Sequence, residues 1–264
     1  MSNNFRRRWI YMTLKKLTDI SSEIGFLMLS HGAEIHRVED TICRIAAAYG
    51  IAADVFAIPT SLVVTLSDSE GKSFTTTRRV YSRDMNLDIV DKLNELSRKI
   101  CKTKPEFNEI LAAVNTVKER PTYHPLFIYA ISALGAGAFA ILFDGDIYDS
   151  FAAAAVGILI RLATDIMDRS NGGALLTNIV GGAVCSAASL ILFKLYPTLN
   201  FDVVIISSLM LLVPGLSMTN SVRDLIAGDL NAGVLKAAEA TLIATGVALG
   251  VMLSLTTVRP FLGV

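Results

Sequence analysis

Apolar residues in the second half of the chain fall into five consecutive stretches, which predict a bundle of membrane-spanning helices. The predicted spans are residues 125–143, 150–167, 174–194, 203–226 and 232–255. A helix needs about 20 mainly apolar residues to cross a bilayer. The apolar run of the fourth span, 203–213, covers only about 16 Å of helix before it meets Pro214 and Gly215. We therefore expect the fourth helix to be broken.

The interruption of the fourth span is typical of a solute site in a membrane transporter. Proline has no amide hydrogen, so Pro214 frees the carbonyl four residues earlier, and Gly215 tolerates an unwound backbone. In a bilayer such polar groups must face protein or water. The helix after the break carries Asn220, Arg223 and Asp224, where the guanidinium offers two parallel donors to a carboxylate. A span that is only kinked is the alternative.

Four further charged residues lie within the predicted spans. Arg161 and Asp165 are one helical turn apart in the second span, and Lys236 and Glu239 are similarly spaced in the fifth. Each charge costs on the order of 2.5–3.5 kcal/mol to insert, so it usually faces a partner or a wet cavity. The residues either form two internal pairs that hold the bundle together or line a path for a solute or proton. We expect Glu239 to be the most buried carboxylate and a candidate proton acceptor.

Small residues recur four positions apart in the spans, which lets helix backbones approach closely. The pairs are Ala133 and Gly137, Ala153 and Gly157, Gly182 and Ser186, and Gly246 and Gly250. They predict a packed five-helix bundle within an oligomer, in which helices of another chain can take part.

The first half of the chain has the pattern of a small α/β domain. Helical periodicity predicts helices over 9–30 and 34–49, followed by strands over 52–66 and 74–81. One or two helices then cover 86–118, with a break near Pro105. The start of the second helix is rich in carboxylates, from Glu34 to Asp40, which complement the helix dipole or serve a regulatory or subunit-docking role.

Composition separates the two halves further. Hydrophobic residues make up 52% of the 264 residues, a high share for a soluble protein. Residues 1–120 nevertheless hold 18 of the 24 Lys and Arg and 15 of the 24 Asp and Glu. We therefore predict a cytoplasmic α/β domain over 1–120 and a transmembrane domain over 121–264.

The charges on either side of the first span predict how the chain is oriented. Basic residues precede that span (Lys102, Lys104, Lys118, Arg120) and acidic residues follow it (Asp144, Asp146, Asp149). By the positive-inside rule the N-terminus lies in the cytoplasm. Five crossings of the inner membrane then place the C-terminus outside.

Several kinds of chemistry are excluded by the motifs that the sequence lacks. Cys43, Cys101 and Cys185 are far apart and form no C-x-x-C pair, and the three histidines do not share a helical face, so we expect no metal and no cofactor. The chain has no Gly-x-Ser-x-Gly, His-Glu-x-x-His or Gly-x-x-x-x-Gly-Lys motif, which argues against an enzyme and against ATP-driven pumping. We also expect no nucleic-acid partner.

Two sets of residues resemble the threonine/serine exporter family. The first runs from Leu212-Val213-Pro214-Gly215-Leu216 through Thr219-Asn220-Ser221-Val222-Arg223-Asp224 to Gly228-Asp229 and Gly233. The second, similar to the family's cytoplasmic domain, comprises Gly32-Ala33-Glu34, Arg37-Val38-Glu39-Asp40 and Pro59-Thr60. Both sets occur in the family's order, and the resemblance covers most of residues 20–255.

The resemblance implies a secondary exporter of small amino acids or related carboxylates, such as small dicarboxylates like succinate. It marks Pro214, Gly215 and the Asn220-to-Asp224 run as the most characteristic residues. Fused members of the family carry a second set of spans after the fifth, whereas this chain stops at Val264. The chain therefore resembles the larger subunit of a split exporter that needs a short, very hydrophobic membrane partner.

Two functions remain in competition at this point. The first is the exporter subunit, with candidate solute-binding residues Arg161, Asp165, Pro214, Gly215, Asn220, Arg223, Asp224 and Glu239. The second is a membrane-anchored sensor or scaffold that acts through its cytoplasmic domain. A sensor uses its spans only as an anchor, so it does not require charged residues inside them.

Overall fold

The computed structural model describes residues 3–81, 85–119, 123–170 and 172–262. The protein is mostly helical, with a small antiparallel sheet near its N-terminus. It divides into two compact units. The first, called the α/β unit here, comprises Met1–Pro121 and Asn220–Lys236; the second, called the helical unit, comprises Thr122–Thr219 and Ala237–Val264. Arg120, which the orientation argument used, lies outside the described residues.

The α/β unit begins with two helices, α1 (Asn3–Ser30) and α2 (Ile35–Ala48), and ends its N-terminal part with α3 (Leu87–Thr103) and α4 (Phe107–Lys118). The sequence predicted these helices and the break at Pro105. Glu34 occupies the N-cap position of α2, and Gly50 after the helix has a φ of +72°, a conformation that glycine adopts without strain.

The sheet of the α/β unit has three strands, β1 (Ala52–Ile58), β2 (Ser61–Ser67) and β3 (Ser73–Arg79), in the order β1-β2-β3. The prediction of one strand over 52–66 was wrong, because the chain reverses at Pro59 and Thr60 and pairs Ile58 with Ser61. Proline cannot donate to a strand ladder, so Pro59 ends β1 and a two-residue turn forms.

The core of the α/β unit lies between the sheet and its helices. Leu62, Val64 and Leu66 alternate along β2 and are fully buried. They belong to one cluster with Ile24 of α1 and Ile42 of α2. One face of the central strand therefore carries the apolar contacts that hold α1 and α2 in place.

The helical unit contains α5 (Pro125–Leu142), α6 (Ile147–Arg169), α7 (Ala174–Leu195), α8 (Phe201–Leu209), the start of α9 (Gly215–Ala227) and most of α10 (Leu230–Leu262). Four helices in the described part of the chain are long and apolar enough to cross a membrane: α5, α6, α7 and α10. The predicted fourth span is divided into α8 and α9, so the expected break is present.

The small residues of the spans pack against helices of the same chain. A Cβ added at Gly157 of α6 would lie 3.0 Å from the carbonyl oxygen of Ser132 in α5. One added at Gly246 of α10 would lie 3.1 Å from the carbonyl oxygen of Leu175 in α7. These contacts bring the backbones of α5 and α6, and of α7 and α10, close together, as small-residue rows do in membrane bundles.

Candidate functional site

The turn between α9 and α10 closes through small and charged side chains within the α/β unit. Gly228 adopts a φ of +95° in the turn, which favours glycine. The Ser221 hydroxyl donates to the carbonyl oxygen of Gly233 over 2.7 Å. A Cβ at Gly233 would lie 2.5 Å from Cγ of Leu225, so glycine is needed for this approach. The two helix segments therefore pack tightly.

A buried ion pair joins the same two helices, between Asp224 of α9 and Lys236 of α10. Nζ of Lys236 is 2.7 Å from Oδ2 of Asp224, and the two residues are 7% and 0% exposed. Within the described part of the chain, Oδ1 of Asp224 is buried and accepts no hydrogen bond. The sequence offered Glu239 as a neighbour of Lys236 and did not predict this contact with Asp224.

Arg223 also contacts a carboxylate within the α/β unit. Its Nη1 donates to Oε1 of Glu34, the N-cap residue of α2. Glu34 is 9% exposed, and its other oxygen lies 3.4 Å from Nε2 of His36. The guanidinium that we expected to bind a solute is therefore already paired with a side chain. Glu34 appeared in the family-like motif but not among our candidate site residues.

A second carboxylate of α2 lies in a partly desolvated position. Oε1 of Glu39 accepts the amide hydrogen of Ala57 over 2.8 Å. Burial raises the pKa of Glu39 above its usual value, and this hydrogen bond opposes the rise. The carboxylate of Asp229 raises the pKa further, while His36 lowers it. Charges of α2 and of the α9–α10 turn thus act on each other inside this unit.

The helical unit contains a separate polar cluster within its apolar spans. Nη2 of Arg161 lies 2.8 Å from Oδ1 of Asp165, so the pair expected from their spacing forms. The hydroxyl of Tyr129 on α5 donates to Oδ2 of Asp165 over 2.9 Å. Nε of Arg161 is buried and has no hydrogen-bond partner among the described residues. The cluster therefore holds a guanidinium in place and leaves its buried Nε without a partner among the described residues. The sequence did not single out Tyr129.

The break between α8 and α9 lies close to this cluster along α6. Leu211 and Leu212 in the break pack onto glycines of neighbouring helices: a Cβ at Gly157 of α6 would lie 3.2 Å from Leu211, and one at Gly181 of α7 would lie 3.0 Å from Leu212. Arg161 is one turn beyond Gly157 on the same helix.

The backbone of the break has the polar character expected for a discontinuous helix. No donor in the described residues bonds to the carbonyl oxygens of Met210, Leu211 or Leu212. The first amides of α9 form the positive end of a helix dipole. The break thus presents the unbonded carbonyls of residues 210–212 and the positive end of the α9 dipole, which suit polar ligands.

The candidate residues therefore fall into two groups. Arg161, Asp165, Pro214 and Gly215 belong to the helical unit, whereas Asn220, Arg223 and Asp224 belong to the α/β unit. Glu239 lies on α10 and is only partly buried, so the expectation that it is the most buried carboxylate was wrong; Asp224 is more buried. Among the described residues, no cluster of His, Cys, Asp and Glu is arranged to bind a metal.

Comparison with known proteins gives a family match over most of the chain. The family model ThrE, described as "Putative threonine/serine exporter", matches residues 19–258. The protein named probable succinate transporter subunit YjjP from Escherichia coli K12 is 23% identical over 251 residues, which cover 92% of this chain and 94% of that protein. The protein of the same name from Klebsiella aerogenes is also 23% identical, over 248 residues with the same coverage.

A longer relative matches over about half of its own length. The probable threonine/serine exporter of Mycobacterium tuberculosis H37Rv is 21% identical over 247 residues, which cover 91% of this chain and 46% of that protein. No solved structure matches the chain. The family and these relatives are named as transporters and not as enzymes.

Proposed function

This membrane protein belongs to the threonine/serine exporter family, and we propose that it is a subunit of a secondary transporter that exports small carboxylate-bearing metabolites across the inner membrane. The solutes are amino acids similar to threonine and serine, or small dicarboxylates such as succinate, in keeping with the names of its relatives. The sequence lacks a Gly-x-x-x-x-Gly-Lys loop for ATP, so an ion gradient or the solute gradient supplies the energy.

The Arg161 cluster is the observation that carries this proposal. An arginine in a membrane span is costly to insert and is retained there when it has a partner and a task. Asp165 supplies the partner and Tyr129 holds Asp165, whereas the buried Nε of Arg161 has no hydrogen-bond partner among the described residues. A solute carboxylate binds this guanidinium, whose side chain is partly exposed, and the charge-assisted hydrogen bond is strong because water is scarce in a bilayer.

The break between α8 and α9 supplies the remaining contacts in the proposed site. The N-terminal end of the α9 dipole favours a carboxylate, and the carbonyls of Met210, Leu211 and Leu212 accept hydrogen bonds from an ammonium or hydroxyl group. A solute that carries both kinds of group, such as threonine, matches both ends of the break. Glu239 on α10 is our candidate for the group that accepts a coupled proton.

The two chain segments that make up the α/β unit support five membrane crossings. Residues Asn220–Lys236 pack in the same unit as residues 1–121, so both segments lie on one side of the membrane. An even number of crossings must then separate them. α5, α6 and α7 provide three, so the broken segment 201–219 provides the fourth. As one continuous helix this segment would be about 28 Å long, close to the ~30 Å hydrocarbon core of a bilayer.

We also propose an orientation for the chain in the membrane and a second subunit that binds it. The basic flank of the first span supports a cytoplasmic location for the α/β unit and with it residues 1–120. The fifth crossing, α10, then runs outward. Two relatives are named as subunits of a transporter, which supports a second, short and hydrophobic membrane subunit that binds this one.

Replacement of Arg161 in the chromosomal gene tests the proposal, because the native partner is then present. We expect Arg161→Gln to reduce export of threonine, serine or succinate by roughly tenfold or more, since the solute loses its guanidinium. Arg161→Lys should restore only part of the export, because an ammonium lacks the planar fork. Intracellular accumulation of the three solutes is the measurement.

Arg259→Gln is the matched control. Arg259 is an exposed arginine near the end of α10, outside the proposed site, and its variant should export normally. Membrane abundance of each variant is measured by immunoblot. Normal export by Arg161→Gln at wild-type abundance would refute the proposed site and favour the sensor function.

A further inference from the structure

A basic cleft between α2 and α3 in the α/β unit has no role in the proposed transport site. Its volume is about 330 Å³, which is within the range of small-molecule sites in proteins. Among the described residues that line it, Asp40 supplies one carboxylate and four side chains are cationic: Arg37, Arg44, Arg98 and Lys102. The cleft therefore carries an excess of positive charge.

Helix geometry explains why these cations meet. Arg37, Thr41 and Arg44 follow one another at intervals of four and three residues, so they share one face of α2. Asn94, Arg98 and Lys102 recur every four residues along one face of α3. The two faces line the same cleft, so its walls carry cations together with polar groups that can form hydrogen bonds.

Internal contacts neutralise only part of this charge. Arg44 forms a two-point pair with Asp40, with Nε to Oδ1 and Nη2 to Oδ2 both at 2.9 Å. Within the described part of the chain, Arg37, Arg98 and Lys102 form neither a hydrogen bond nor an ion pair through their side chains. Cations grouped around a concave surface raise the local potential and attract an anion.

We propose that this cleft is a binding site for a phosphate-bearing anion. Arginine donates two parallel hydrogen bonds to phosphate oxygens, and two of the three cations without partners are arginines. A phosphate group with two or more negative charges matches three uncompensated cations better than the single charge of an amino-acid carboxylate. Thr41 and Asn94 add neutral hydrogen-bonding groups to the same cleft. The ligand is either a soluble phosphate compound or the headgroup of a phospholipid.

Calorimetric titration of the full-length chain with inorganic pyrophosphate tests the site. The protein is held in phosphatidylcholine nanodiscs, so that no anionic lipid competes. We expect saturable binding that weakens as the salt concentration rises, because the interaction is between charges. Absence of saturable binding at low salt would overturn the proposal.

Two neighbouring substitutions on α3 separate a specific site from general electrostatic attraction. Arg98→Gln should lower the affinity for pyrophosphate on the order of tenfold, because it removes a guanidinium that lines the cleft. Lys99→Gln changes the net charge equally at an exposed position outside the cleft and should leave the affinity nearly unchanged. An equal loss in both variants would overturn the proposal. Melting temperatures within error of wild type show that both variants are folded.

The same titration in nanodiscs that contain phosphatidic acid identifies the source of the phosphate. If pyrophosphate binding is reduced there and the reduction disappears in Arg98→Gln, the cleft binds the lipid headgroup. If wild-type binding is the same in both lipids, the cleft binds the soluble phosphate. Either result supports the site, and it is independent of whether Arg161 binds the transported solute.

Discussion

Arg223 is paired with a protein carboxylate, and this changes how it can contribute to transport. Glu34 is nearly buried and accepts a hydrogen bond from the Arg223 guanidinium. A solute carboxylate that binds Arg223 must therefore displace Glu34. If it does, Glu34 acts as an internal competitor, and release of the pair couples solute binding to the start of α2. If Arg223 only anchors Glu34, the two residues serve one structural purpose.

Export by single variants distinguishes these two roles. We expect Arg223→Gln to reduce export several-fold while it keeps its membrane abundance, because the solute loses a cationic contact. Glu34→Gln should reduce export less, since it removes the competitor and leaves the guanidinium. Solute export and protein abundance are measured in cells that carry each substitution. Equal losses in the two variants would show that the pair acts only in structure.

The Asp224–Lys236 pair should contribute to stability more directly. Both side chains are almost fully buried, so Asp224→Asn leaves the ammonium of Lys236 without a counter-charge. Removal of one partner from a buried pair typically costs about 3–5 kcal/mol. We expect a clear fall in the melting temperature of the purified protein.

The double variant Asp224→Asn with Lys236→Met serves as the control for this prediction. It removes both charges, so it should recover much of the lost stability. A double variant that is less stable than Asp224→Asn would mean that the charge pair is not the cause.

At the scale of elements, local sequence signals identified most helices but not the contacts between distant segments. Helical periodicity and proline positions are local, so α1, α2 and the breaks near Pro105 and Pro214 could be predicted. The hairpin at Pro59 was missed because an apolar run on both sides of the turn resembled one long strand. The Glu34–Arg223 contact joins residues 189 positions apart, and no local pattern encodes it.

The break itself should be needed for transport. Pro214→Ala restores an amide hydrogen and removes the steric obstacle to helix, so it favours a continuous α8–α9 segment by up to about 3 kcal/mol. The free carbonyls of Met210, Leu211 and Leu212 would then be used within the helix. We expect export to fall several-fold, while thermal stability is unchanged or higher.

Pro260→Ala is the matched control for the break. Pro260 lies near the end of α10, away from the α8–α9 junction, and its replacement should leave export unchanged. A Pro214→Ala variant that exports normally would contradict a role for the broken helix in solute binding.

At the scale of the whole molecule, the five proposed crossings predict which turns face which side. Thr198, in the turn between α7 and α8, should lie outside, whereas Asn231, near the start of α10, should lie in the cytoplasm. Both residues are exposed, so each can be replaced by cysteine in a variant that lacks Cys43, Cys101 and Cys185. An impermeant thiol reagent should label Thr198→Cys in intact cells and Asn231→Cys only after permeabilisation. Labelling of both from one side would exclude the five-crossing arrangement.

A second subunit should be needed for transport. Small-residue rows join α5 to α6 and α7 to α10, so these faces are used within the chain. Apolar surface nevertheless remains along the break: Met210, Val213 and Met218 line a cavity of about 510 Å³ with residues of α10. A hydrophobic helix of another subunit can cover it, and solute sites in many transporters form between two repeats.

We therefore expect this chain to insert alone but to export only with its partner. Proteoliposomes with the purified chain, with and without a co-purified short hydrophobic subunit, are assayed for threonine, serine and succinate transport against empty liposomes. Robust transport by the chain alone would contradict the two-subunit proposal and indicate a self-sufficient homo-oligomer.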